Sequence, residues 1–369
     1  MSKVSIAIIT PSLGFGGSER VSAQVSTFFE NEGHQVSVFA AYPDYVFDHG
    51  GEYIYLGVKR KATFKFFYMI LAFLRLREAF RNHSFDYVID FRSRRIFWIE
   101  VLYSVAIYPL ARNIIPTVHL AMLQNYIPKP WSVFKKVYNR YPSIIAVSDT
   151  ITSKLIKEGF SKAKCIKNAV DFEWIEQQKQ ESIAFDKPFI LAAGRMDDDI
   201  KQMDHIMTAY SKSSLPSQGI HLLILGSGKR KSAYENLKNE FSCNDLIHFM
   251  GFQQNPFPYF AKALFFVLAS RFEGFPMVLI ESLACGTPVI SYDCPTGPSE
   301  IIQHEQNGLL VKYQNQTALK EAIDTLCSDK SLHKKCVLQT KKSIANLSAE
   351  SIQHQWANLM LSLNQKQND

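Results

Sequence analysis

Short runs rich in Val, Ile and Phe alternate along this chain with longer amphipathic stretches, and the alternation occurs twice. In the first half the runs are VSIAII, QVSVFA, YVIDF, IPTVHL and SIIAVS; in the second they are FILAAG, HLLILGSG, IHFMG, LFFVLAS, PVISY and GLLV. Brief apolar runs separated by helix-length segments read as buried strands joined by crossover helices, so each half predicts an α/β unit with a parallel sheet. Between the halves FEWIEQQKQESIAFDKPF has no apolar run, which places a linker at 173–186 between an N-terminal domain, 1–172, and a C-terminal domain, 187–345. Beyond GLLV the pattern is helical through ALKEAIDTL and SIQHQWANLMLSL, and a terminal helix over 346–369 is expected to pack back on the N-terminal domain. A length of 369 residues also suits two hydrophobic cores better than one.

Charge is distributed unevenly. Residues 1–170 hold 22 Lys and Arg against 12 Asp and Glu, and residues 171–369 hold 19 against 22, so the net charge of +7 belongs to the first half. A basic half suits an anionic partner: nucleic acid, a phosphorylated substrate or an acidic membrane surface. No apolar run approaches the length of a membrane span. The longest, IFWIEVLYSVAIYPL at 96–110, contains Glu100 and reads as a core helix. Lys3 followed by VSIAII reads as a buried strand rather than a signal peptide. The six cysteines form no CxxC pair and no metal-ligand spacing with histidine, as expected of free thiols in a reducing cytoplasm.

Several runs end in glycine. TPSLGFGGSER places Gly14, Gly16 and Gly17 between the first strand and the next helix, a pattern that lets a helix N-terminus receive an anion or simply makes a tight turn. A dinucleotide fingerprint fits poorly, because the order is G-x-G-x-x-E and no acidic residue ends the second strand. FILAAGRMDDDIKQ sets Gly194 and Arg195 at a strand end with Lys201 six residues on, while Gly226 and Gly251 end the next two strands. An Arg fork with a Lys point charge suits a diphosphate. The adjoining Asp197, Asp198 and Asp199 read as a solvated loop.

The stretch RFEGFPMVLIESLACGTPVI carries Glu273 before Gly274, Phe275 and Pro276, and Glu281 inside an apolar run. Proline favours the first helical position, so a helix is expected from 276, with Val278, Leu279 and Leu283 facing the core. An ionised carboxylate in such surroundings is costly unless it is paired or faces a polar ligand, and two ribose hydroxyls match its acceptor sites.

Together GGSE, Gly194-Arg195 with Lys201, the LILGSG turn, Glu-x7-Glu, the following SLACGTPVISYDCPTGPSEII and NGLLV resemble retaining glycosyltransferases of family 4. The resemblance covers 188–315 closely and the first half only through its glycine loop and strand pattern. It implies a GT-B architecture, two Rossmann-like domains whose parallel sheets face across a cleft. It further implies that Glu273 bonds donor-sugar hydroxyls, that Gly274, Phe275 and Pro276 bring backbone N–H groups to sugar and phosphates, and that Glu281 binds the ribose. Arg195 and Lys201 would hold the diphosphate, Gly16 and Gly17 would close on it, and Gly194, Gly226 and Gly251 would shape the donor site. His119, ending IPTVHL, matches a histidine found near the donor sugar in such enzymes, although a lone strand-end histidine can equally be structural. Those enzymes space the Arg and Lys one residue closer and follow the Lys with Gly or Asn, where this chain has Gln202. Neither a cofactor nor a metal is expected.

Residues 59–82 carry Lys59, Arg60, Lys61, Lys65, Arg75, Arg77 and Arg81 against Glu78, interleaved with Phe64, Phe66, Phe67, Met69, Ile70, Phe73, Leu74 and Leu76. This suits either an anionic membrane surface or a helix packed on the sheet with solvated basic ends. FRSRR adds Arg92, Arg94 and Arg95 after a strand, where a diphosphate-linked acceptor would suit them. The wider resemblance is to bacterial enzymes that extend lipid-linked oligosaccharides, O-antigen or capsule at the inner face of the cytoplasmic membrane. The expected activity is transfer of a hexose or N-acetylhexosamine from a UDP-sugar to a lipid-linked or other saccharide, without a nucleic-acid partner. A nucleotide-sugar epimerase of the same architecture, or a non-catalytic sugar-nucleotide or nucleic-acid binder, are the competing readings.

Overall fold

The computed structural model describes residues 3–14, 16–59 and 65–368 and divides into two compact units, 1–169 with 350–369, and 170–349. In the first unit the strands are β1 (Ser5–Thr10), β2 (Gln35–Ala40), β3 (Glu52–Tyr55), β4 (Phe85–Asp90), β5 (Ala111–Val118), β6 (Ile144–Ala146) and β7 (Ala163–Cys165). They form one sheet in the order β3-β2-β1-β4-β5-β6-β7, all neighbours parallel. The α-helices between them are α1 (Gly17–Asn31), α2 (Lys65–Asn82), α3 (Phe97–Ala106), α4 (Trp131–Tyr138) and α5 (Asp149–Lys157). β3 and β7 have no counterpart among the apolar runs of the sequence. Both are edge strands, and β3 reads EYIY with no fully buried residue, so neither carries the signature of a strand covered on two faces.

The second unit contains α6 (Phe172–Gln178), β8 (Phe189–Ala193), α7 (Met203–Ser211), β9 (His221–Leu225), α8 (Lys231–Lys238), β10 (Ile247–Gly251), α9 (Phe257–Lys262), β11 (Phe266–Leu268), α10 (Met277–Ala284), β12 (Val289–Tyr292), α11 (Pro298–Ile301), β13 (Gly308–Val311), α12 (Gln316–Ser328) and α13 (Lys330–Ser343). Its sheet runs β10-β9-β8-β11-β12-β13, again parallel. Its core gathers β8, β9, β11 and β12 residues with Ile206, Met207 and Tyr210 of α7 and Leu319, Ile323 and Leu326 of α12. The stretch 173–186 is not simply a linker. Asp171 caps α6 through its side chain, and Trp174 of α6 stacks edge-on with Phe257 at 5.1 Å, tying its first half into this unit.

The last helix, α14 (Ala349–Asn368), returns to the first unit. Trp356 meets Phe29 of α1 with ring centroids 6.0 Å apart, and Gln353 donates to Glu32 at 2.7 Å.

Candidate active site

In each sheet the first strand of the unit lies between the second and the fourth, so the strand order turns back beside β1 in the first unit and beside β8 in the second. Ligands of open parallel sheets bind outside the carboxyl ends of strands at that switch point. Loops from β8 and its neighbours β9 and β11 bring Gly194, Lys201, Gly226 and Glu273 together there.

Three glycine turns form the floor. The Gly194 N–H donates to Leu225 O at 3.0 Å, and the Gly226 N–H donates to Gly251 O at 2.7 Å. Gly226 has φ +126°, and a Cβ there would sit 2.0 Å from Gly194 O, so only glycine lets the turns close on each other. Above them Lys201 Nζ meets Glu273 Oε1 at 2.5 Å, and Ser270 Oγ donates to the same oxygen at 2.6 Å. Glu273 is buried, and with both partners on Oε1 its Oε2 has no hydrogen bond among the described residues. The Glu273 carbonyl accepts from the Thr296 hydroxyl. Gly297, at φ +96°, lies against Pro276 so closely that a Cβ would be 2.6 Å from Pro276 Cδ. The turn before α11 therefore buttresses the Glu273–Pro276 loop. Ser270, Thr296 and Gly297 were not among the sequence candidates; the Thr-Gly-Pro signal was visible, but its contact with residues twenty positions away was not.

Pro276 is the N-cap of α10, which begins at Met277, one residue later than the sequence suggested. Glu281 is buried within α10 together with Leu279, Ile280 and Leu283, while Val278 is half-buried. Gly274 and Phe275 are buried as well. Burial, with Glu281 nearby, pushes the Cys285 thiol up to about 12, and burial, with Glu273 nearby, does the same for Cys294, so both stay neutral beside the carboxylates.

Arg195 and Lys201 differ in setting. The Arg195 side chain is 71% exposed with Asp197 at 3.7 Å, whereas that of Lys201 is 22% exposed. The three aspartates between them are engaged rather than merely solvated. Asp199 pairs with Arg271 at 3.0 Å, Asp198 accepts from the Ile200 N–H at 3.1 Å, and the Arg271 N–H donates to Ile200 O at 2.8 Å. These bonds join the Lys201 loop to the Glu273 loop. Gln202 adopts the left-handed conformation (φ 44°, ψ 54°), which explains why Gly or Asn would suit that position. It is held by a reciprocal amide pair with Gln314, itself at φ 59°, with Nε2 to Oε1 distances of 3.1 and 2.5 Å, and Gln202 Nε2 also lies 3.0 Å from His205 Nε2.

In the first unit Gly16 is the exposed N-cap of α1 and Gly17 its first residue, at the carboxyl end of β1. His119 follows β5, buried between Phe91 and Tyr126, with Nε2 3.0 Å from Thr117 Oγ1. Burial, helped by Arg94, lowers its pKa to about 3, so it is a neutral hydrogen-bonding group.

FRSRR does not form an open cation cluster. Arg92 grips Asp90 through Nε (3.0 Å) and Nη2 (2.8 Å), and fully buried Arg94 donates to the carbonyls of Asp90, Thr117 and Tyr126 at 2.7 to 2.9 Å. Tyr108 Oη donates to Asp90 at 2.5 Å, and Tyr138 Oη donates to Glu100 at 2.7 Å. Burial alone would raise the Asp90 pKa, but Arg92 and Arg94 prevail and hold it below the ordinary value, whereas burial keeps that of Glu100 raised. Two of the three arginines are thus consumed inside the domain, and only Arg95 is exposed.

Family models match both units: Glycosyltransferase Family 4 over residues 15–174 and Glycosyl transferases group 1 over 175–343. The chain belongs to this glycosyltransferase family, with two parallel-sheet Rossmann-like domains of the GT-B class. Over 173 residues it is 36% identical to the Campylobacter jejuni N-acetylgalactosamine-N,N'-diacetylbacillosaminyl-diphospho-undecaprenol 4-alpha-N-acetylgalactosaminyltransferase, 47% of this chain and 46% of the relative. It therefore spans about half the length of that curated relative. A second C. jejuni protein, a GalNAc-alpha-(1->4)-GalNAc-alpha-(1->3)-diNAcBac-PP-undecaprenol alpha-1,4-N-acetyl-D-galactosaminyltransferase, is 25% identical over 98% of both chains. The fold matches that of Anabaena HepE in complex with UDP-glucose at a TM-score of 0.77, covering 97% of this chain and all of that one at 16% identity.

Proposed function

We propose that this protein moves a hexose or N-acetylhexosamine from a UDP-sugar to a lipid-linked saccharide, with retention of anomeric configuration and without a metal ion, at the inner face of the cytoplasmic membrane. The observation that carries the reading is the Glu273 carboxylate at the switch point of the second sheet, with Oε1 held by Lys201 and Ser270 and Oε2 turned to no protein partner among the described residues. A carboxylate fixed in this way can accept hydrogen bonds from two sugar hydroxyls without reorganising. Departure of a nucleoside diphosphate develops negative charge, which Lys201 and the exposed Arg195 fork can stabilise as it forms. Glu281, buried in α10, is the ribose ligand in this reading. The names of the two Campylobacter relatives support an undecaprenol-diphosphate-linked acceptor, and the UDP-glucose complex of the Anabaena neighbour supports a uridine donor.

Calorimetric titration with UDP, GDP, ADP and NAD, repeated on Glu281→Ala, tests the donor half. Micromolar UDP binding lost in the variant supports the reading, and unchanged UDP affinity refutes the assignment of Glu281. Radiolabelled UDP-hexoses and UDP-N-acetylhexosamines offered with undecaprenyl-diphosphate saccharides test the acceptor half, with product anomeric configuration read by NMR. Isomerisation of the donor without acceptor would instead identify an epimerase.

A further inference from the structure

Helix α3 is inside out. A surface helix ordinarily buries its apolar stripe and turns its charges to water. In α3 the only buried residue is its single acid, Glu100, which is anchored by Tyr138 Oη at 2.7 Å and Arg92 Nη2 at 3.4 Å. Trp98, Leu102 and Val105, spaced along one stripe, face outward, with Trp98 75% and Val105 67% exposed. The core-helix expectation for 96–110 thus fails for a definite reason: the buried Asp90–Arg92–Glu100–Tyr138 network fixes which face of the helix points in.

Its neighbour behaves similarly. Phe73 of α2 meets Tyr103 of α3 with ring centroids 5.5 Å apart. Ala72, Leu76 and Phe80 of α2 enter the domain core, which satisfies the packed-helix alternative for that stripe. Phe66, Ile70 and Leu74 form an outward stripe with Phe67 beside them, and Phe66 is 76% exposed. Arg60, Lys61 and Phe64 lie outside the described residues, as does the side chain of Lys65. Lys59, Arg81 and Arg95, on or next to the two helices, are exposed, and Arg75, also exposed, donates to Leu56 O at 3.1 Å; Glu78 is the single acid of α2.

We propose that the exposed stripes of α2 and α3 form one docking face for an anionic bilayer. Trp98, Val105, Phe66 and Ile70 enter the headgroup boundary while the cations meet lipid phosphates. Large aromatics set among basic residues are the chemistry of that boundary. A second copy of the same face is disfavoured, since two cationic rims would repel. The inference rests on the proposed lipid-linked acceptor, whose tail would hold the substrate in the same bilayer.

The test is co-sedimentation of the full chain with phosphatidylcholine vesicles containing one third phosphatidylglycerol, against vesicles of phosphatidylcholine alone. The wild type should bind the anionic vesicles, and binding should weaken with salt. Trp98→Ser with Val105→Ser should lower binding roughly tenfold or more, since both side chains are exposed and their apolar area drives insertion. Arg81→Glu with Arg95→Glu should lower it as well. Trp98→Phe should retain binding but lose the vesicle-induced blue shift of fluorescence. Equal binding by wild type and the serine pair overturns the proposal. So does a dimer, seen by analytical ultracentrifugation without vesicle binding, that the serine substitutions dissociate. UDP titration separates the two readings: vesicle binding without UDP binding refutes the proposed UDP-sugar donor alone, and UDP binding without vesicle binding refutes the docking face alone.

Discussion

Replacing Gln202 or Gln314 by glycine should destabilise the protein, yet replacing both should cost less than either alone. The two residues sit in left-handed backbone and exchange two side-chain amide hydrogen bonds, with Gln202 also touching His205. Each neutral hydrogen bond contributes about 1 kcal/mol, and glycine relieves about 1 kcal/mol of left-handed strain at each position. Gln202→Gly loses all three contacts and relieves one strain, a net loss of about 2 kcal/mol. Gln314→Gly loses the reciprocal pair, relieves one strain and orphans the buried Gln202 carbonyl, again about 2 kcal/mol. The double variant loses the three contacts but relieves both strains and orphans nothing, about 1 kcal/mol. Coupling of about 3 kcal/mol is therefore expected from the cycle, read as urea midpoints of the full chain by circular dichroism. Additive losses, near 4 kcal/mol in the double variant, would refute the idea that the amide pair maintains the left-handed turn that follows Lys201.

Other outcomes follow from the same geometry. Lys201→Met should lower transfer by roughly 10²–10³ with a smaller effect on UDP affinity if, as proposed, its charge acts on the departing diphosphate; steady-state kinetics with calorimetry separates the two. Gly297→Ala should abolish turnover while circular dichroism remains native, since the added Cβ meets Pro276 Cδ at 2.6 Å in a φ +96° backbone; wild-type kcat would show that the buttress is dispensable. Arg94→Met should destabilise by about 3–5 kcal/mol in urea, because it leaves Asp90 and three carbonyls short of a buried partner. His119 titrates near 3 when folded because of burial and Arg94, against 6.5 ordinarily. Below 6.5 the unfolded chain takes a proton that the folded chain refuses, so stability falls with pH towards 3, by up to about 1.4 kcal/mol per pH unit. His119→Gln should flatten that slope in urea titrations between pH 4 and 6.5, and an unchanged slope would contradict the burial argument.

Period and composition were enough to read the two parallel sheets, because strands buried on both faces must be continuously apolar wherever the chain folds. They were insufficient for β3 and β7, whose edge positions remove that demand. The placement of the glycine turns and Lys201 in the loops after strands, of Glu273 before a helix and of Glu281 inside it was likewise legible, since strand ends and a carboxylate in an apolar run are local signals. The supports of the site were not. Ser270 and Thr296 are unremarkable as letters, and their roles arise only when the loops after β11 and β12 meet at Glu273. The arginines of FRSRR and the apolar helix after them show the limit most directly. Sequence shows three cations and one acid in a greasy segment, but whether charge points inward or outward depends on Asp90, Tyr108, Thr117 and Tyr138 arriving from β4, β5, α4 and the turn before β5. Burial of an ion pair is stabilising only when every partner is in place, so that orientation is a property of the assembled domain, decided by tertiary structure.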